Sequence, residues 1–377
     1  MTLFLLALFS TFCLLHILSF IFAKLALCAQ TSEHDPINFD GVSLVRPLCG
    51  LEPFSRETLL STFQQDFDHK LELIFCVAQA HDPIIPLVQQ LIAEHPLAQA
   101  KLLIGEDVIS SNPKLNNIVK GWYGAQYDIV IFADSNLLLR PDYVARVCST
   151  FTPTTLCVSA PPVGTRPIGF WGDLESAMLN SHAARWQYAA SFCGINFAQG
   201  KTLAFQRPLI KADMMAAMAR EPAEDAATTK FIEDMGGELR LLSQPYEQPI
   251  GPRSFASYWG RHSRWARLRR SSFPALFVLE IALGICAPLL CLIALMGKDY
   301  PMTLAAVLGF IFVWYGAEYL FVRALHWPMN WRSPLAWLLR DLLIPALTIA
   351  AWARADFTWH GHRMSANKVQ IEAEPVR

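Results

Sequence analysis

Asp128-Ile129-Val130-Ile131-Phe132-Ala133-Asp134-Ser135-Asn136 reads as a short strand that ends on an acid. Its β-branched and aromatic run forms strand, and Asp-Ser-Asn is turn chemistry. Val42–Leu48, Leu71–Val77 and Lys101–Ile104 have the same strand-like character, while Pro83–Glu94 and Leu115–Gln126 carry helical apolar spacing. This alternation predicts an α/β domain over residues 40–252 with a largely parallel sheet. Ligands of such domains lie beyond the carboxyl ends of the strands. Arg46-Pro47-Leu48-Cys49-Gly50, Gln79-Ala80-His81-Asp82-Pro83 and Asp134 occupy those positions.

One Asp after a strand is commonly a cap or turn residue. Two acidic strand ends in one domain, Asp82 and Asp134, point to a nucleotide and metal site. With no Gly-rich phosphate loop in the chain, phosphate charge must be met by a cation or by Arg and Lys. Further on, Glu224-Asp225-Ala226-Ala227-Thr228 opens a helix ending near Gly236-Gly237. These acids either complement the helix dipole or make Asp225 a base whose pKa its neighbour Glu224 raises.

Outside this domain the chain is strongly apolar. Hydrophobic residues make up 53% of the 377, charged residues 17%, and the net charge is −1. Disorder is excluded, and so is the basic footprint of a nucleic-acid binder. Met1–Ala23 carries no charge before Lys24, which predicts a transmembrane anchor over 1–29 rather than a cleaved signal. By the positive-inside rule the following domain is cytoplasmic, at the inner membrane if the cell is bacterial. Phe273–Met296, Pro301–Val322 and Pro334–Ala353 are three more runs of spanning length, giving transmembrane or re-entrant helices over 273–353 and a tail over 354–377. The last run holds Arg340-Asp341 and Pro345. Either it is re-entrant, returning Trp359, His360, His362 and Arg363 to the cytoplasmic face, or it is a tilted span that buries the pair; re-entry is the expectation. The segment 253–272 has six Arg and no acid, with aromatic residues at steps of three or four, as in an interfacial amphipathic helix. The nine Cys form no C-x-x-C pair, so no zinc site or disulfide framework is suggested.

Asp82, Asp134, Asp225 and Arg261-His262-Ser263-Arg264-Trp265 together resemble the processive-type nucleotide-sugar glycosyltransferases, marked by three separated Asp and a (Q/R)-x-x-R-W sequence. The closer resemblance is to the ceramide glucosyltransferase family. It is carried also by Phe75-Cys76-Val77, Asn112-Pro113-Lys114-Leu115-Asn116-Asn117, Ala223-Glu224-Asp225 and the late Trp352. The resemblance implies a glycosyltransferase A-type, Rossmann-like catalytic domain with transmembrane helices. It also implies inverting transfer of glucose from UDP-glucose to the primary hydroxyl of ceramide in a lipid bilayer. Carried over, Asp82 contacts the uridine, and Lys114 with Asn116 lines the nucleotide pocket. Asp134 holds a divalent cation, Mg2+ or Mn2+, and Asp225 is the general base. Arg264 neutralises the departing UDP, Trp265 floors the acceptor pocket, and Arg261 positions the motif. Asn136 departs from the family, where a second Asp is usual. The alternatives are a hopanoid, a polyprenyl phosphate or a growing polysaccharide as acceptor, another UDP-hexose as donor, or a non-catalytic membrane scaffold.

Overall fold

The computed structural model describes residues 1–29, 37–211, 213–297, 300–359 and 362–366. The chain opens with α1 (Thr2–Cys28) and then alternates through β1 (Gly41–Leu48), α2 (Ser55–Phe63), β2 (Lys70–Val77), α3 (Ile85–Glu94), β3 (Gln99–Ile104), α4 (Pro113–Gly124), β4 (Ile129–Ala133), α5 (Tyr143–Thr150) and β5 (Thr155–Ser159). After β6 (Pro162–Ile168) come α6 (Gly169–Ala177), a π-helical stretch Met178–Ala184 and α7 (Arg185–Phe192). Next are β7 (Thr202–Gln206), α8 (Met214–Met218), α9 (Glu224–Asp234), β8 (Glu238–Leu241) and β9 (Tyr246–Pro252). The later chain is α10 (Phe255–Ser272), α11 (Pro274–Leu279), α12 (Cys286–Met296), α13 (Tyr300–Ala324), α14 (Ser333–Ala353), and the hairpin β10 (Asp356–Trp359) and β11 (His362–Ser365).

These elements form two compact units. The sheet unit comprises Gln30–Pro162, Asn196–Pro249 and Asp356–Arg377. Its seven strands run β3-β2-β1-β4-β7-β5-β8. The half from β3 to β4 is parallel, as the alternation predicts. In the other half β5 and β8 are also parallel, so the sheet is largely parallel as expected, and β7 is the strand that lies antiparallel to its neighbours β4 and β5. No βαβ crossover is needed to enter beside an antiparallel neighbour, so the excursion between β5 and β7 can leave the sheet altogether. Ile129, Ile131 and Ala133 face one apolar layer with Leu44 and Phe75, while Val130 and Phe132 face the other with Val45 and Ile74. Both faces are covered, which is why the strand core reads as an unbroken apolar run.

The helical unit comprises Met1–Ala29, Val163–Ile195 and Ile250–Ala355. The contiguous 40–252 domain expected from the sequence is thus interrupted, since 163–195 belongs with the helices. There Ala177, Ala184, Tyr188 and Ala189 share a buried cluster with Phe20, Trp314 and Trp337. The helices α1, α13 and α14 are long and apolar enough to cross a membrane. Leu304, Phe312, Leu320 and Ile349 point outward on two of them, as lipid-facing side chains do.

Two features of this unit differ from the sequence reading. The run Phe273–Met296 is broken, with α11 and the 3-10 turn after it bent by 54° from α12. The last run, by contrast, is one continuous helix despite Pro345. Its Arg340 and Asp341 do not reach an interface but are 1% and 2% exposed. Arg340 donates to both oxygens of Glu318 at 2.6 and 3.0 Å, to Asp341 Oδ1 at 2.8 Å and to Ser181 Oγ at 3.0 Å. Asp341 Oδ2 accepts from Tyr315 and from the Ile285 N–H at the start of α12. Each charge is therefore met, and Asp341 takes a backbone donor freed by the break. The segment is thus one helix of spanning length with its charged pair buried against neighbouring helices, which is the form of the tilted-span alternative. Of the tail residues named for re-entry, His360 and the side chains of His362 and Arg363 lie outside the described residues, as does 367–377.

Candidate active site

The site grows from the carboxyl ends of β2, β1 and β4. Beyond β1, Gly50 adopts φ 69°, where a side chain would be strained. It offers its N–H to both oxygens of Asp82 at 3.0 and 2.9 Å, and Asp82 Oδ1 also accepts from the Ile84 N–H at 2.9 Å. Asp82 thereby ties the loop after β1 to the loop after β2. Helix α4 seats over the same edge. Asn112 caps it, accepting from the Lys114 and Leu115 N–H groups, and Pro113 occupies its first turn. Asn117 donates to Leu48 O and Cys76 O, the last carbonyl of β1 and a late one of β2. Asn116 accepts from the Ile109 and Ser110 N–H groups and donates to Ser110 O. Its amide is engaged in shaping the loop before α4.

The N-terminal placement of Lys114 brings its ammonium into the centre of the site. It lies 2.6 Å from Asp134 Oδ1, 2.7 Å from Glu224 Oε1 and 2.6 Å from Gly200 O. The second Asp134 oxygen meets Lys201 at 2.7 Å, and the same Lys201 ammonium lies 3.0 Å from Asn136 Oδ1. This follows from the antiparallel register. Ala133 pairs with Thr202, so the residue entering β7 stands beside the residue leaving β4, and the Asp134 N–H donates to Lys201 O at 3.0 Å. From beneath, the buried Arg46 of β1 donates to Ser135 O and Leu137 O, fixing the turn that carries Asp134. Burial would raise the Asp134 carboxyl, but Lys114 and Lys201 overcome it and hold it well below the usual carboxylate range. Burial also opposes the Lys114 charge, yet Asp134 and Glu224 outweigh it and raise that ammonium above its ordinary value.

Asp225 sits in the first turn of α9 in a different electrostatic state. Burial, and then the like charge of Glu224, push its carboxyl up to about 6. It accepts from the Gly200 N–H at 3.2 Å and the Ala226 N–H at 2.8 Å. Glu224 is held by Lys114 and by Asn112 Nδ2 at 2.9 Å. A methyl group at Gly200 would lie 2.8 Å from Glu224 Oε1 and 3.5 Å from Asp225 Oδ2, so the Glu224 head group would have to shift to admit it. One carboxylate locked in its charged form thus lies in the same cluster as another poised to take a proton near neutrality. That is the arrangement of a charge-stabilised anion site with a general base.

Arg261, Arg264 and Trp265 lie on α10 in the helical unit. Glu175, fully buried on α6, accepts from Arg261 Nη1 at 3.2 Å and pairs with His262 Nε2 at 3.1 Å. Burial alone would raise Glu175, but His262 and then Arg261 hold it at about 2. The Arg261 guanidinium sits 6.0 Å from the Trp265 ring centre. Glu175 thus orients the start of the R-x-x-R-W stretch, a role that an acid two residues from Asp173 in a short helix does not announce. Lys201 and Gly200 were equally silent in the sequence. Their position depends on β7 running antiparallel, which no local pattern encodes. Among the described residues no three His, Cys, Asp or Glu side chains cluster as a metal site.

A sequence model of glycosyl transferase family 21 matches residues 11–371. Ceramide glucosyltransferase 1 of Caenorhabditis elegans is 27% identical over 270 residues, which is 71% of this chain and 57% of that protein. Ceramide glucosyltransferase 3 of the same organism is 25% identical over 365 residues, covering 93% of this chain and 78% of the relative. The Candida albicans ceramide glucosyltransferase is 38% identical over 110 residues, 26% of this chain and 20% of its own. The match thus spans little more than half the length of the first of these relatives. Among solved structures, the mannosyltransferase PcManGT from Pyrobaculum calidifontis, in complex with GDP-Man and Mn2+, superposes with a TM-score of 0.56 at 18% identity, over 93% of this chain and 97% of that one. The shared fold is the glycosyltransferase A-type.

Proposed function

The chain belongs to glycosyl transferase family 21, and we propose that it transfers glucose from UDP-glucose to the primary hydroxyl of ceramide with inversion, giving β-glucosylceramide at the membrane surface. The observation that carries this reading is Asp225, a carboxyl raised to about 6 in the same cluster as Lys114 and Asp134. An alcohol acceptor must lose its proton as it attacks the anomeric carbon, and Asp225 takes it. A lipid phosphate is ionised already and needs no such base, so the acceptor is an alcohol. The names of the relatives choose ceramide among alcohols.

The other residues follow from charge. Lys114 and Lys201 are the cations placed to meet the donor diphosphate. Asp134 and Asn136 present hard oxygen donors that converge on one ammonium, which suits Mg2+ or Mn2+ sharing its shell with phosphates and water. When bound there, a divalent cation would supply positive charge against the donor diphosphate, with Asp134 and Asn136 as the residues that would hold it. Asp82 is assigned to the uridine, beside the loops it ties together. The family motif assigns Arg264 to the leaving group and Trp265 to the acceptor, with Arg261 as a positioning residue. The sheet unit lies on the cytoplasmic side, where sugar nucleotide is found.

Expression in a host that makes no glycosphingolipids, with ceramide supplied, tests this reading. Wild type should yield monohexosylceramide, and Asp225→Asn should lower the yield by about 10²–10⁴ in rate while UDP binding persists. Turnover near wild type in Asp225→Asn would make Asp225 a helix-capping residue only.

A further inference from the structure

Lys201 has a consequence for how metal and donor enter, which rests on the reading of this pocket as a sugar-nucleotide site. Its side chain is largely buried, and its ammonium lies between Asp134 Oδ2 at 2.7 Å and Asn136 Oδ1 at 3.0 Å. Lys114 covers the remaining Asp134 oxygen at 2.6 Å. The two oxygen ligands that follow β4 therefore already enclose one positive charge. A divalent cation and an ammonium cannot both stand at the point where these oxygens converge. The backbone keeps Lys201 there, since its carbonyl accepts the Asp134 N–H at 3.0 Å. Its long stem is free to redirect the head group even so, because a Lys ammonium is a point charge on four flexible carbons.

We infer that Lys201 is a tethered competitor of the divalent cation. With no donor bound, its ammonium neutralises Asp134 and Asn136 holds it in place, so metal alone binds weakly. An arriving diphosphate supplies other oxygens for the ammonium, and Asp134 and Asn136 are released to the metal. Metal and sugar nucleotide consequently bind as a coupled pair. Asn136 belongs to the same device: a second carboxylate at that position would add charge for metal to bind without the nucleotide, and the amide does not.

Mn2+ binding to the full-length protein in detergent, followed by the paramagnetic resonance of free Mn2+ with and without UDP, tests this without reference to turnover. In the wild type UDP should tighten Mn2+ binding about tenfold or more, within the usual range for two coupled sites. Lys201→Gln should bind Mn2+ alone about tenfold more tightly than wild type and lose most of that coupling. Equal Mn2+ affinity with and without UDP in the wild type would overturn the inference with no variant needed. If Lys201→Gln binds Mn2+ alone no more tightly while wild type still binds Mn2+ and UDP together, Lys201 is a structural ion-pair partner. That result leaves the nucleotide-site reading standing. Failure of the wild type to bind UDP at all, with or without Mn2+, would remove the nucleotide-site reading as well.

Discussion

Replacing Glu224 by Gln isolates the electrostatic tuning of Asp225. The methyl position at Gly200 lies 2.8 Å from Glu224 Oε1 and 3.5 Å from Asp225 Oδ2, so these oxygens are no more than about 6 Å apart. At that separation, two like charges repel by about 3 kcal/mol at an effective dielectric of 20. With about 1.4 kcal/mol per pKa unit, that repulsion corresponds to a shift of about two units. Water reaching the half-buried Asp225 screens part of this, which places the expected fall at about one to two units. The sign is fixed. Removing a neighbouring negative charge makes Asp225 easier to ionise, so its carboxyl drops from about 6 toward the ordinary range. Catalysis needs the ionised base, so kcat/KM of wild type should fall tenfold per unit below about pH 6. In Glu224→Gln that acid limb should begin about one to two units lower, whatever the height of the plateau. Lost contacts to Lys114 and Asn112 will lower the plateau itself. The assay is the pH profile of kcat/KM for transfer to a fluorescent ceramide. An acid limb that stays in place, or moves to higher pH, would refute the assignment of Asp225 as a base tuned by Glu224.

Other outcomes can be checked in parallel. The Glu175 carboxyl, held at about 2 against an ordinary 4.5, contributes about 3 kcal/mol of stability that is complete above pH 5 and lost as pH falls toward 2. Glu175→Gln should therefore unfold at a lower temperature than wild type at pH 7, with the gap closing in acid; a gap independent of pH would contradict this. Arg340→Leu strands Glu318 and Asp341 in the helical unit and should cost about 3–5 kcal/mol in unfolding measurements, whereas a change below about 1 kcal/mol would show the network to be dispensable. The hairpin β10–β11 belongs to the sheet unit, so Thr358→Cys should react with a membrane-impermeant maleimide only after the cells are permeabilised. Labelling of intact cells would place the tail outside. Protection fits α1, α13 and α14 as the crossings, with the bent α11–α12 pair entering and leaving on one side.

Much of this architecture was legible in the sequence because its signals are local. The strand β4 and the Asp134 that follows it, the helical spacing from Leu115, the acidic start of α9 and the basic α10 each declare themselves within a short window. The bend before α12 falls at Gly284-Ile285, which one Gly in an apolar run does not announce, and there the Ile285 N–H donates to Asp341 of another helix. Buried charge misled in the same way. Arg340-Asp341 looks costly in a span until Glu318 of α13 is brought beside it. Within the site, Asp82, Asp134 and Asp225 could be singled out in the chain, and so could the raising of Asp225 by its neighbour Glu224, but the depressed state of Asp134 could not. The Asp134 state is set by Lys114 from α4 and by Lys201, which reaches the cluster through strand order and an antiparallel register.

The most direct test is a transfer reaction with purified protein, UDP-glucose labelled in the sugar, a divalent cation and a mixture of ceramide, a hopanoid and a polyprenyl phosphate. The account predicts label in the ceramide fraction alone, attached at the primary hydroxyl, with proton resonance showing a β-anomer. Label on the hopanoid or the polyprenyl phosphate, an α-anomer, or release of free glucose with every acceptor present would contradict it.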